Sequence, residues 1–311
     1  MVFHDPTLRH RVIQQKTLDR YFREVVALAQ WAVACVEAGH SFASADELCT
    51  AFVEALEAHG HPQSRAATTM SALAHFVPPV RGALGGTWRT VRAWKNTRAT
   101  TNAEPLPEAL LMAAVALFAQ LHGPRAGLAL LVGYRCALRP GELCALWTHS
   151  LAVGGGGETL SIVLGDTKMS LRTGTPEAVS TKDPLCVAAG ALLRSAPPAP
   201  LLGMSYPAFL RCFKRIMRVL GAEFAGFAPH SIRRGGACRL LQRCGDITQV
   251  MLTARWQDLK TARIYIDLAR YDAVEARLSL DTHEMATALE PLVPELLLGP
   301  SSQLLALEDR A

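Results

Sequence analysis

The sequence predicts a mainly α protein with a small antiparallel β-sheet, divided into a helical domain over residues 1–103 and an α+β domain over residues 104–311. Three observations predict it. Apolar residues recur at helical spacing along most of the chain. The pattern turns strand-like only between about residues 147 and 181. The polar, proline-bearing segment ATTNAEPLPE, residues 99–108, reads as a linker. The 311-residue length exceeds the roughly 100–200 residues of one ordinary domain. With 50% hydrophobic and 19% charged residues, the composition supports sizeable cores and excludes a disordered chain.

In the first domain, Leu18, Tyr21, Phe22, Val25, Val26, Leu28 and Ala29 trace one face of a helix over residues 16–38, ended by Gly39. A second helix follows Ser and Asp caps in SFASADELCTAFVEALEAHG. A third, PQSRAATTMSALAHFV, is bounded by Pro62 and by Pro78 and Pro79. The fourth, RGALGGTWRTVRAWKNTR, repeats Arg81, Arg89, Arg92, Lys95 and Arg98 with Trp88 and Trp94 between them. That pattern suits a face lying on a sugar-phosphate backbone, and it equally suits a solvated basic helix with two core tryptophans.

In the second domain, residues 106–121 and 125–136 are apolar at helical period and predict two core helices. In LRPGEL, Pro140 favours a helix start, which places Arg139 at a loop-to-helix corner with Glu142 one turn on, able to hold a guanidinium. Strands are expected in WTHSLAV and ETLSIVL, joined by Gly154–Gly157, and again over 176–181 after a turn carrying Lys168. No Walker lysine follows those glycines, so a phosphate-cradling loop is not expected there. Helices are expected at 184–195 and 206–220.

The charge of +5 is mildly basic and by itself separates no function class. Near the C-terminal end of the second domain the balance is sharper. Arg233, Arg234, Arg239, Arg243, Arg255, Lys260, Arg263 and Arg270 outnumber Asp246, Asp258 and Asp267, a local cationic surface. Eight scattered cysteines without a CxxC pair suggest neither a zinc ribbon nor a disulfide framework. The pair His59 and His61 lacks further ligands and reads as a surface turn. No signal-peptide core is seen, and no apolar run reaches the roughly 18–20 residues of a membrane span. The expectation is an intracellular protein, cytoplasmic or nuclear, with no membrane partner.

The stretch PHSIRRGGACRLLQRCGDITQVMLTARWQDLKTARIYID, residues 229–267, carries a His, an Arg three residues later, a Trp and a Tyr. These types suit phosphate chemistry. An Arg fork matches phosphate oxygens, a His moves protons near neutral pH, and a Tyr hydroxyl can form a covalent ester. A phenol with a pKa near 10 needs a base and a positive field before it can attack phosphorus, and Arg139 and Arg233 can supply that field.

Taken in order, Arg139, Lys168, His230, Arg233, Trp256 and Tyr265 resemble the active-site series of the tyrosine recombinases, the phage-integrase family of DNA breaking and rejoining enzymes. LRPGEL is similar to the family's first Arg box, HSIRR to its His-x-x-Arg box, and ARWQDLKTARIYID to the box of the nucleophile. The resemblance implies that residues 1–103 form a SAM-like helical core-binding domain on DNA and that residues 104–311 form an integrase-like catalytic domain. It further implies that Tyr265 attacks DNA to give a 3′-phosphotyrosyl intermediate. Lys168 would then protonate the departing 5′ oxygen, His230 would assist proton transfer, Trp256 would hydrogen-bond the phosphate, and Glu142 would be structural support. No metal and no cofactor are implied.

The partner implied is double-stranded DNA, bound by a homotetramer across two sites during integration or excision of a mobile element. The leucine-rich tail from about residue 276 is expected to dock on a neighbouring subunit. The box spacing prefers Tyr265 over Tyr271, Arg139 over Arg135, and Arg233 over Arg234, which is left as a DNA-backbone or structural contact; Lys182 rivals Lys168. Three other readings stay open: a catalytically silent DNA-binding relative, an enzyme resembling type IB topoisomerases, and a helical interaction protein without a DNA role.

Overall fold

The computed structural model describes residues 13, 15–97, 103–154, 156–165, 174–194 and 196–299. The chain divides into two compact units, residues 1–101 and 102–311. The protein is mainly helical, with one three-stranded antiparallel sheet among the described residues. Among the described residues no helix is long and apolar enough to cross a membrane.

Among the described residues the first unit holds four helices, α1 (Gln15–Glu37), α2 (Ala45–Ala58), α3 (Gln63–Phe76) and α4 (Gly85–Thr97), with a 3₁₀ turn at Pro78–Gly82. The N-cap Ser44 accepts from the Glu47 N–H at 3.1 Å, while the Glu47 carboxylate accepts from Ala43 N–H at 2.7 Å. Leu28, Phe52, Val53, Met70, Val91 and Trp94 form the core. Asp46 reaches from α2 to the start of α4, where its carboxylate accepts from the N–H groups of Gly86 and Thr87, each at 2.8 Å. That pairing satisfies donors that a helix N-terminus leaves open.

The second unit is built on α5 (Glu108–His122) and α6 (Pro124–Arg135), whose apolar surfaces are buried almost all round. A short α7 (Pro140–Cys144) leads to β1 (Leu151–Val153), β2 (Leu160–Leu164) and β3 (Glu177–Thr181). In register, Leu151 faces Ile162, and Ile162 faces Val179. Strand alternation puts Leu160, Ile162 and Leu164 inward and Val163 outward. The first expected strand is shorter than WTHSLAV: Trp147 makes an isolated antiparallel bridge to Pro200, and Thr148–Ser150 is a 3₁₀ turn in which the Ser150 N–H donates to the Trp147 carbonyl. Helices α8 (Pro184–Leu193) and α9 (Tyr206–Val219) follow.

Next come α10 (Pro229–Cys244), α11 (Ile247–Ala254), α12 (Leu259–Tyr265) and α13 (Leu268–Glu275). In α10 the pair Gly235 and Gly236 has a packing reason. A Cβ at Gly235 would lie 2.0 Å from the Leu106 carbonyl oxygen, and one at Gly236 would lie 2.0 Å from that of Tyr134. Only glycine lets α10 rest directly on the segment before α5 and on the last turn of α6. The end of the segment read as a linker is therefore core: Pro105, Leu106 and Pro107 are buried, and Leu106 N–H donates to the Ser231 carbonyl.

The tail departs from expectation. Helices α14 (Leu280–Leu289) and α15 (Val293–Leu298) fold back, and Ala286, Val293, Leu297 and Leu298 join the same core as α5 and α6. Part of the stripe expected to be exposed is thus covered by its own chain, while Leu280 and Leu292 stay exposed at 71% and 45%. Residues 300–311 lie outside the described residues.

Candidate active site

Arg233 sits at the centre of the expected series. It is 1% exposed, yet it carries a guanidinium on the first turns of α10. Its Nη1 donates to the Ala137 carbonyl at 2.6 Å and its Nη2 to the Ala254 carbonyl at 2.7 Å. Both acceptors come from helix ends, where carbonyls lack intrahelical donors. At both ends the chain turns through left-handed backbone at a non-glycine residue, Ala137 with φ 46° and Arg255 with φ 56°. Left-handed backbone costs an L-residue roughly 1–2 kcal/mol, so the fold sustains strain at the two turns that hold Arg233.

Two rings complete the enclosure. The guanidinium carbon of Arg233 lies 5.3 Å from the Trp256 ring centre and 5.4 Å from that of Tyr265. Those rings stack on each other, with centroids 5.1 Å apart and planes 23° from parallel. Burial, and then repulsion from Arg139, bring the Arg233 pKa down to about 10, so the group stays charged at pH 7. Among the described residues, Arg233 Nε and Trp256 Nε1 are buried without a hydrogen-bond partner. Buried donors of that kind are ready for an acceptor that the fold itself does not supply.

Arg139 stands at the N-cap of α7, as LRPGEL predicts, and is the most exposed arginine of the set, with its side chain at 39%. The Glu142 carboxylate accepts from the Arg139 N–H at 2.8 Å through Oε2 and from Arg139 Nη1 at 2.6 Å through Oε1. Oε2 also accepts from Arg255 Nη2 at 2.6 Å. Burial pushes the Glu142 carboxyl up, but Arg255 and then Arg139 outweigh it and hold the group below the usual carboxylate range. Glu142 is thus an ionised bridge between two arginines.

His230 lies on the first turn of α10 and is exposed, unlike its neighbour Ser231. Crowding by protein on its inner side, and then the Arg233 charge, lower its pKa from 6.5. At neutral pH the imidazole is uncharged and can accept a proton.

Other candidates fall elsewhere. Lys168 and Arg98 lie outside the described residues. Lys182 is exposed at the end of β3. Arg81, Arg89, Arg92 and Lys95 are all exposed on the first unit, whereas Trp94 is buried and Trp88 packs against the core. The helix is thus basic on its exposed side, with its tryptophans in the core. Arg234 requires correction as a DNA contact. It is 4% exposed and its Nη1 donates to the Ile264 carbonyl at 2.5 Å, which clamps α10 to the residue before Tyr265; of the two uses expected for it, this is the structural one.

Tyr271 is 2% exposed, and its hydroxyl accepts from the Glu108 N–H at 2.9 Å. Arg135 pairs with Glu108 and Asp183. Both are framework groups. Arg255 is the residue that sequence reasoning did not place, since it stood only among the local cations; nothing in the sequence announces a left-handed arginine. Among the described residues no cluster of His, Cys, Asp and Glu could hold a metal ion.

No family model matches the chain, and no curated protein sequence matches it. Solved structures do. The XerH site-specific recombinase in a post-cleavage complex with palindromic difH substrate is 14% identical, with a TM-score of 0.54 over 83% of this chain and 79% of that one. The Tn1549 transposon integrase in complex with circular intermediate DNA is 12% identical, with a TM-score of 0.51 over 85% of this chain and 99% of that one. Lambda integrase, as a dimer bound to a COC′ core site, is 18% identical, with a TM-score of 0.51 over 82% of this chain and 90% of that one. The likeness runs through both units of the chain, and it gives this protein the fold of the tyrosine recombinases and integrases.

Proposed function

We propose that the protein is a site-specific DNA recombinase that cuts and rejoins double-stranded DNA through a 3′-phosphotyrosyl intermediate on Tyr265. The observation that carries this reading is the enclosure of Arg233 by Trp256 and Tyr265, which leaves buried N–H donors beside a phenol. The Tyr265 oxygen attacks the scissile phosphorus as its proton passes to His230. The new phosphorus–oxygen bond replaces the bond to the 5′ oxygen, which leaves with a proton that the resemblance assigns to Lys168. Arg139 and Arg233 stabilise the charge that gathers on the non-bridging oxygens, and Trp256 Nε1 adds a neutral donor. The energy of the broken bond is kept in the phosphotyrosine, so a second 5′ hydroxyl can reseal the strand without a nucleotide cofactor.

In this reading residues 104–311 are the catalytic domain and residues 1–103 the core-binding domain, with Arg81, Arg89, Arg92 and Lys95 facing the DNA backbone. The assembly is a homotetramer on two DNA sites, inside the cell, serving integration or excision of a mobile element.

The test is to incubate the full chain with a pool of nicked random-sequence duplexes, recover covalent protein–DNA adducts and sequence the attached DNA. A Tyr265-dependent adduct enriched for one site is expected. Adducts without sequence preference, together with relaxation of supercoils, would favour a topoisomerase instead. Absence of any adduct lost in Tyr265→Phe would sink the reading.

A further inference from the structure

Arg255 occupies a position that the backbone does not favour for arginine. It caps α11 in left-handed geometry, φ 56° and ψ 47°, where glycine would be at ease. Its side chain is only 10% exposed and runs between two carboxylates from different elements. Nη2 lies 2.6 Å from Glu142 on α7, and Nε lies 3.8 Å from Glu177 at the start of β3. Among the described residues its Nη1 is buried without a hydrogen-bond partner. The side chain therefore joins three parts of the chain: the turn before Trp256, the helix that presents Arg139, and the strand that follows the segment bearing Lys168.

The charge balance shows what the link does. Glu142 is shared by Arg139 and Arg255, each of which donates to it at 2.6 Å. Without Arg255, Arg139 is the one guanidinium among the described residues still hydrogen-bonded to Glu142, and the neighbourhood loses one positive charge. An arginine fully paired with a carboxylate has less field to offer an incoming phosphate. We propose that Arg255 is a positioning residue of the phosphate site, which draws Glu142 away from full pairing with Arg139 and so keeps Arg139 available for a phosphodiester. This rests on the phosphate-site reading given above, and it adds a residue that acts through Glu142 without touching DNA.

The test uses the full chain and inorganic phosphate, with binding followed through the Trp256 indole N–H signal in NMR, assigned by its loss in Trp256→Phe. Arg255→Gly suits the left-handed backbone and should fold. It should bind phosphate roughly tenfold more weakly, the scale of one partly screened unit charge a few ångströms away. Arg255→Gly combined with Glu142→Gln removes the carboxylate left unbalanced and should recover binding to within about threefold of the wild type, a reversal that simple loss of packing would not produce.

Unchanged binding in Arg255→Gly, or weaker binding in the double variant than in the single one, would overturn the inference alone. A wild-type chain that binds no phosphate would overturn the site reading, and this inference with it. Should Arg255→Gly not fold, Arg255→Lys, which keeps the charge, must stay within about threefold of wild type; a tenfold loss there would refute the charge argument.

Discussion

The indole of Trp256 lies against the phenol of Tyr265, ring centres 5.1 Å apart, with the Arg233 guanidinium beside both. The stack sets the orientation of the ring, while the indole N–H finds no acceptor among the described residues. The two roles separate by substitution. Trp256→Phe should keep the stack and the fold but lower adduct formation about tenfold, the worth of one hydrogen bond to a charged group. Trp256→Ala should lower it further and also destabilise the second unit by about 3 kcal/mol. Single-turnover adduct assays and urea melts on both variants check this.

His230 makes the reaction pH-dependent in a stated direction. Its pKa is lowered from 6.5 by desolvation and then by Arg233, so adduct formation should hold at pH 6.5 and fall only in more acid solution. The unfolded chain, whose imidazole is unperturbed, takes up the proton first as pH falls. Stability contributed by this group should therefore also decline from about pH 6.5 down through the folded value. A pH–rate profile for wild type against His230→Gln should show the acid limb lost in the variant.

Gly236 permits the approach of α10 to α6 that lets Arg233 reach the Ala137 carbonyl. A methyl group there would meet the Tyr134 carbonyl oxygen at 2.0 Å, main chain that has no room to yield. Gly236→Ala should cost about 3 kcal/mol, against a gain of under 1 kcal/mol from helix propensity. Urea denaturation would read it directly, and a wild-type midpoint would contradict the packing account.

Arg89, Arg92 and Lys95 lie along the exposed side of α4, while Val91 and Trp94 face the core. Replacing all three with alanine should leave the melting temperature of the first unit within a few degrees. Binding to duplex DNA should weaken, and the slope of log affinity against log salt should become shallower by roughly 0.9 for each phosphate that the variant no longer neutralises. Filter binding across a salt series gives the slope; an unchanged slope would place the DNA elsewhere.

Helix periodicity, the Pro140 helix start and the His230-to-Arg233 spacing made the mainly α class, the four N-terminal helices and most of the candidate site legible in the chain itself. These are local signals: each depends on residues within one or two turns of each other, and the physics that decides them acts over the same distance. What only the tertiary structure decided depends on the meeting of distant segments. Arg234 and Arg233 are adjacent and chemically identical, yet one clamps the Ile264 carbonyl and the other lies beside the stacked rings of Trp256 and Tyr265, because successive residues on a helix point about 100° apart. Leu297 and Leu298 of the tail, exposed by their pattern alone, are covered once α14 and α15 fold over α5 and α6, whereas Leu280 and Leu292 are not. Arg255 gained its place from a left-handed turn and from two carboxylates, 113 and 78 residues upstream, which no local pattern could bring beside it.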